Sequence, residues 1–168
     1  SGADFPNWGF NWLNHESGHT MGLPDLYGYD SNGVDYDDIH RFVGGFSSMG
    51  FTGGDAFEYF AFERWQLGWL DDNQIVCQLD ADQTTTLYAI ETQGGLKAVI
   101  VPLGPNRILV IESRRAVGYD EKISKEGALV YVVDTTIASG YGTLVVYPIL
   151  AGDPYRYKSP LAVGESIT

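Results

Sequence analysis

The residues with the clearest capacity for chemistry are His15 and His19, in the run His-Glu-Ser-Gly-His. Residues four apart lie on one face of a helix, and imidazole nitrogen is a good ligand for zinc. A helix here would therefore hold two metal ligands side by side. Glu16 would stand beside the metal rather than on it, where a general base for a zinc-bound water is needed. The pattern predicts a catalytic zinc site.

A third ligand is expected shortly after the helix. Gly22 can take a left-handed conformation that ends a helix, and Pro24 prevents the helix from resuming. The chain then turns back, so that Asp25 reaches the metal; three protein ligands plus water is the catalytic zinc arrangement. The alternative is a glutamate from a later helix, Glu58 or Glu63. The immediate turn after Gly22 favours Asp25.

Two helices must position these residues. The first is predicted over residues 9–21, with an apolar face of Phe10, Leu13 and Met21. The second is predicted over Asp55–Leu67, with Asp55 as its N-cap. Its core-facing side chains recur at helical spacing: Phe57, Phe60, Ala61 and Trp65.

From Asn73 onward the chain consists of short runs rich in β-branched and aromatic residues, bounded by Gly, Pro, Asn or Asp. This pattern predicts an antiparallel β unit, a sandwich or part of one. The expected fold class is therefore α+β, with a first unit over residues 1–72 and a second over 73–168. The predicted strands are Gln74–Leu79, Thr84–Ile90, Leu96–Leu103, Arg107–Ser113, Ala128–Val133 and Thr143–Leu150.

An aspartate-rich loop separates the metal region from the glycine-rich stretch at 42–54. Its acidic residues include Asp30, Asp35 and Asp37, and closely spaced oxygen ligands suit calcium. The spacing is not that of an EF-hand. A calcium site and a solvated turn are both compatible with this composition.

Composition excludes several classes of function. The formal net charge of −12 argues against binding to nucleic acid or to anionic membrane surfaces. The single cysteine, Cys77, allows no intramolecular disulfide. No apolar run has the length of a membrane span.

The run from His15 to Tyr27 resembles the zinc signature of the metzincin metallopeptidases, in the variant whose third ligand is Asp. Its ending, Gly-Leu-Pro-Asp-Leu-Tyr, is similar to that of the immune inhibitor A-like secreted bacterial peptidases. The resemblance continues in Ser-Ser-Met-Gly at 47–50, which matches the family's Met-turn. The segment Phe57–Leu70, ending Trp-Gln-Leu-Gly-Trp-Leu, is similar to the helix that follows that turn.

The resemblance implies a secreted zinc endopeptidase that acts on protein or peptide substrates. Met49 would form an apolar floor beneath the zinc. One position departs from the pattern, because Phe51 stands where several metzincins carry a tyrosine. A phenyl ring cannot stabilise an oxyanion, so Tyr27, Tyr29, His40 or a backbone N–H must do so if that role is needed.

The zinc helix lies well inside the catalytic domain in the resembled family, after a sheet that holds the substrate. We therefore expect an upstream part of the same protein to complete the cleft. A different class of function remains open: a non-catalytic binding or adhesion module with a degenerate zinc region. The presence of Glu16 with all three ligand residues favours the enzyme. A zinc hydrolase acting on a non-peptide amide or ester is a further alternative.

Overall fold

The computed structural model describes residues 6–7, 9–29, 36–80 and 82–167. Over these residues the chain is α+β, as predicted, with two α-helices and one five-stranded sheet. Helix α1 is Phe10–Thr20 and helix α2 is Ala61–Gln66. No helix in these ranges is long and apolar enough to cross a membrane. Short 3₁₀ helices cover Tyr36–His40, Asp72–Gln74 and Gly118–Asp120.

The strands are hydrogen-bonded in chain order, β1-β2-β3-β4-β5. The three pairings from β2 to β5 are antiparallel, but β1 and β2 pair in parallel, which the sequence did not predict. Residues 78–97 supply the long crossover that a parallel pair needs. The strands are β1 Ile75–Cys77, β2 Ala98–Gly104, β3 Arg107–Arg114, β4 Gly127–Asp134 and β5 Leu144–Tyr147.

One of the six strand predictions is wrong. Thr84–Ile90 forms no strand and joins the sheet only through an isolated bridge between Ala89 and Ser113. The described residues form one sheet rather than a sandwich. One face of an antiparallel sheet must be covered. Here residues of the first 72 positions cover it, because one buried cluster includes Phe46 and Phe60 together with Val110 and Tyr131.

Helix α1 confirms the predicted span within one residue at each end, and Gly22, with φ 93°, follows its C-cap in the predicted left-handed conformation. Leu23 N–H donates to Gly18 C=O and Gly22 N–H donates to His19 C=O, which is the pair of bonds of a Schellman motif. This motif reverses the chain within two residues. Pro24 and Asp25 follow directly on the return path.

The predicted apolar face of α1 is wrong. Phe10 is 75% exposed, and Leu13 and Met21 are each 43% exposed. The buried face is instead formed by His15 and Gly18. A helix that packs through a glycine and a histidine shows no apolar stripe in its sequence.

Helix α2 begins six residues later than predicted, and Asp55 is not its N-cap. The backbone N–H groups at its start find distant acceptors. Ala61 N–H donates to Glu112 Oε2 at 2.7 Å, and Glu58 N–H donates to Asp120 Oδ1 at 2.9 Å. Phe60 N–H donates to Glu63 Oε2 at 2.8 Å, so long-range carboxylates and Glu63 within the helix together take the place of the Asp55 cap that the sequence indicated.

Candidate metal centre

Three side chains from α1 and the following turn converge on one point. His15 Nε2 lies 3.1 Å from His19 Nε2 and 3.0 Å from Asp25 Oδ1, and His19 Nε2 lies 3.1 Å from the same oxygen. The three residues are the ones that the sequence singled out as ligands. They form the only such group found among the described residues.

The hydrogen bonds of the two Nδ1 atoms determine which nitrogen of each neutral ring carries the hydrogen. His15 Nδ1 lies 2.8 Å from the Ser48 carbonyl oxygen, and His19 Nδ1 lies 2.9 Å from the Leu23 carbonyl oxygen. A carbonyl oxygen only accepts, so each Nδ1 must carry the hydrogen. In the neutral rings both Nε2 atoms then direct lone pairs at the centre of the group.

Asp25 completes this set of facing acceptors. Its Oδ1 is buried and accepts no hydrogen bond, although both Nε2 atoms are near. Three acceptor atoms at this separation repel one another unless a cation lies among them. In the metal-free chain a proton can serve: burial alone would lower the pKa of His15, but its interactions with Asp25 and Ser48 raise it. A bound metal would replace that proton.

The residues present fit a zinc ion. In a tetrahedral site with metal–nitrogen distances of 2.0–2.1 Å, ligand atoms lie roughly 3.3 Å apart, close to the separations observed here. Two imidazoles and one carboxylate form a donor set that zinc commonly takes. His15 and Asp25 side chains are 7% and 10% exposed, whereas His19 is 33% exposed. The group is therefore accessible from the His19 side.

The turn at residues 47–50 packs against α1. Met49 is fully buried, and a Cβ added at Gly18 would overlap its Sδ atom. The Ser48 carbonyl in the same turn accepts from His15. Ser47, with φ 65°, donates from Oγ to Glu63 Oε2 at 2.8 Å and accepts from Met49 N–H at 3.1 Å. The turn thus orients a ligand as well as filling space.

Glu16 is exposed on α1, one position after the first histidine. It is not a member of the ligand group. Burial and the Asp25 charge raise the pKa of Tyr27 to about 12, and the Glu16 charge acts in the same direction. The Tyr27 ring lies 6.0 Å from that of His15. The Glu16 carboxylate therefore exerts its charge on the surroundings of the ligand group.

The rival third ligands lie elsewhere. Glu58 pairs with Arg64 at 3.0 Å, and Glu63 is bound to Ser47 and to the Phe60 backbone. Neither belongs to the converging group.

Two further predictions have separate outcomes. The His40 ring packs on Phe51 at 4.1 Å and on Tyr155 at 5.7 Å, outside the group. Tyr29 OH donates to Asp25 Oδ2 and the Tyr27 ring lies near that of His15, so these two tyrosines lie beside the group. The proposed calcium residues Asp30 and Asp35, and the Asp37 side chain, lie outside the described residues.

The sequence reasoning missed two residues at the site, Ser139 and Gly140. Ser139 Oγ accepts from Asp25 N–H at 2.9 Å, and Gly140 N–H donates to Asp25 C=O at 3.0 Å. Both residues lie more than 110 positions after Asp25 in the sequence, and a Ser-Gly pair indicates only a turn. No local pattern would have connected them to a metal ligand.

No family model matches the chain, and neither a curated protein nor a solved structure matches it.

Proposed function

We propose that this chain carries the zinc centre of a secreted endopeptidase of the metzincin type, with His15, His19 and Asp25 as ligands. The observation that supports this proposal is the convergence of three acceptor atoms at 3.0–3.1 Å, each histidine being held by a backbone carbonyl. The resemblance of the run from His15 to Tyr27 to immune inhibitor A-like bacterial peptidases supports the choice of reaction.

The chain's own residues have distinct parts in the proposed reaction. A zinc ion, when bound, would act as a Lewis acid on the scissile carbonyl and acidify a water. Glu16 would accept the proton of that water and deliver it to the leaving amine. His15, His19 and Asp25 would hold the metal, while the Ser48 and Leu23 carbonyls keep both imidazoles in the ligating tautomer.

Peptide substrates would approach from the accessible side of His19. An upstream part of the same protein is proposed to complete the cleft. Tyr27, whose ring lies 6.0 Å from that of His15, is proposed to supply the hydroxyl that Phe51 lacks, because the Tyr29 hydroxyl already donates to Asp25.

Zinc affinity of Asp25→Ala is the first test. We expect a loss greater than the roughly 10- to 100-fold that removal of an outer hydrogen-bond partner costs. Glu58→Gln and Glu63→Gln are the matched controls, because they neutralise the rival carboxylates and should bind zinc like the wild type. A large loss in either control, with Asp25→Ala unchanged, would reassign the third ligand.

Cleavage by Glu16→Gln is the second test. We expect this variant to bind zinc normally and to hydrolyse quenched fluorescent peptides about 10²- to 10⁴-fold more slowly, since a positioned general base contributes about that factor. Undiminished hydrolysis would remove Glu16 as the base. A zinc-loaded protein that includes the proposed upstream part and still cleaves no peptide would contradict the endopeptidase proposal and favour a binding module.

A further inference from the structure

The loop between β4 and β5, residues 135–143, lies against the candidate metal centre. This Ser139 loop contacts both ends of the segment that carries the third ligand. Gly140 N–H donates to Asp25 C=O at 3.0 Å, and Gly140 C=O accepts from Tyr29 N–H at 3.0 Å. The backbone of the loop is therefore hydrogen-bonded to both ends of residues 25–29.

A chain of side-chain hydrogen bonds continues from this loop to the ligand itself. Tyr29 OH donates to Asp25 Oδ2, and Ser139 Oγ lies 3.0 Å from the Tyr29 oxygen. The Tyr29 hydrogen is used on the carboxylate, so Ser139 must donate to Tyr29. Ser139 Oγ in turn accepts from Asp25 N–H at 2.9 Å. The serine hydroxyl thus acts on the aspartate through its backbone and through its carboxylate.

This arrangement decides which oxygen of Asp25 faces the histidines. With Oδ2 bound to Tyr29, Oδ1 is left without a hydrogen bond and lies 3.0–3.1 Å from both Nε2 atoms. Hydrogen bonds in series polarise one another, so the relay also strengthens the hold on the carboxylate. Partners of this kind orient metal ligands and raise affinity.

The loop is held in shape by its own bonds. Thr143 Oγ1 donates to the Ile137 carbonyl at 2.9 Å, close to Ser139. Gly140 has φ 77°, and a Cβ there would overlap the Tyr29 ring. A glycine is required at this position both for its conformation and for the close approach of Tyr29.

We propose that Ser139 and Gly140 are positioning residues for the metal site, so that the β unit holds the third ligand in place. This inference rests on the metal-binding part of the proposed function, and it concerns neither substrate nor chemistry. It predicts that zinc affinity depends on a loop more than 110 residues from the ligands in sequence.

The test is the zinc affinity of the full chain, measured by competition with a chromogenic chelator, together with the absorption spectrum of the cobalt-substituted protein. We expect Ser139→Ala to weaken zinc binding about tenfold, and Gly140→Ala to weaken it by about 10- to 100-fold. Tyr29→Phe should weaken it and should be non-additive with Ser139→Ala. Ser139→Thr, which keeps the hydroxyl, should recover affinity.

Thr136→Ala is the matched control, since it removes a hydroxyl from the same loop that contacts Asp134 and not Asp25. It should leave both zinc affinity and the cobalt spectrum unchanged. The inference is overturned if Ser139→Ala, Gly140→Ala and Tyr29→Phe all bind zinc like the wild type. It is also overturned if Thr136→Ala loses as much as Ser139→Ala. A wild-type chain that binds no zinc would instead contradict the proposed function, and this inference with it.

Discussion

Glu63 carries a buried carboxyl group that is hydrogen-bonded to the turn at Ser47. It is 2% exposed; its Oε2 accepts from Ser47 Oγ and from Phe60 N–H, while Oε1 has no hydrogen-bond partner. Burial raises the pKa of Glu63 from 4.5 to about 7. The folded chain therefore binds this proton more tightly than the unfolded chain does. The stability associated with it is present below pH 4.5 and is lost as the pH rises through about 7.

Glu63→Gln should remove this dependence, because the amide stays neutral and keeps one acceptor oxygen. From pH 4.5 to pH 7 the free energy of unfolding of the variant should rise relative to the wild type by about 3 kcal/mol at most. Urea titrations at several pH values measure the difference. Glu126→Gln is the control, since the pKa of exposed Glu126 lies below its usual value and the group is ionised throughout this range. Parallel curves for wild type and Glu63→Gln would contradict the argument.

At the scale of single residues, the grouping of the two histidines with Asp25 could be predicted because their spacing is local. His15 and His19 are one helical turn apart, and Gly22 ends the helix in time for Asp25 to return. Ser139 could not be predicted, because its contact with Asp25 depends on how the β hairpin packs against that turn. The local sequence predicts the helix and turn that bring the three side chains together, whereas the groups that orient those side chains come from distant parts of the chain.

Helix α1 and the turn at residues 47–50 meet where Gly18 has no side chain. In an exposed helix a Gly→Ala change is stabilising by about 1 kcal/mol. Here the added Cβ would overlap Met49 Sδ and would lie 3.3 Å from Tyr59 OH. We expect Gly18→Ala to destabilise the chain by about 1–3 kcal/mol, the usual cost of overpacking, and to weaken zinc binding because Ser48 moves with Met49.

Thermal unfolding and zinc competition together measure the Gly18→Ala effect. Ser17→Ala is a suitable control, since Ser17 is exposed on the same helix and its substitution should change stability by no more than about 0.5 kcal/mol. An increase in stability for Gly18→Ala would mean that the helix does not pack closely on Met49.

The sequence predicted α1 more accurately than α2 and the pairing of β1, and the difference has a physical cause. α1 could be predicted because His15 and His19 have the spacing of one helical turn, which depends on no other part of the chain. The start of α2 is fixed in part by distant groups, since the N–H groups of Glu58 and Ala61 bind carboxylates of Asp120 and Glu112, 62 and 51 positions away. The parallel pairing of β1 with β2 likewise depends on a crossover with no regular structure to mark it. Where an element's end or pairing depends on distant partners, the neighbouring sequence does not locate it fully.

The two halves of the chain are joined by a buried ionic cluster as well as by a shared core. Arg114 is completely buried on β3 and lies 2.6 Å from both Glu112 and Asp120. Its guanidinium also donates to the Glu58 carbonyl and lies over the Phe46 and Phe60 rings, at 5.6 and 5.2 Å from their centroids. One β-unit side chain thereby holds the backbone that precedes α2.

This cluster leads to the metal site through α2. Glu112 accepts from Ala61 N–H, Glu63 in the same helix accepts from Ser47, and the adjoining Ser48 carbonyl accepts from His15. Together with the Ser139 loop, the β unit therefore supports the ligand group from two sides. The boundary predicted near residue 72 divides the sequence patterns but crosses a continuous core.

Arg114→Met tests this dependence at the scale of the whole molecule. The substitution keeps an apolar stem of similar length but leaves Glu112 and Asp120 buried without their cation. Breaking a buried pair in this way costs about 3–5 kcal/mol, so urea denaturation in the presence of a chelator should show a loss of that size. Arg115→Met, at the neighbouring position, removes an exposed pair with Glu126 and should cost no more than about 1 kcal/mol.

Neutralising the partners as well, in Arg114→Met with Glu112→Gln and Asp120→Asn, should recover stability, because no buried charge then remains unpaired. Equal losses at Arg114 and Arg115 would show that the cluster does not join the two halves.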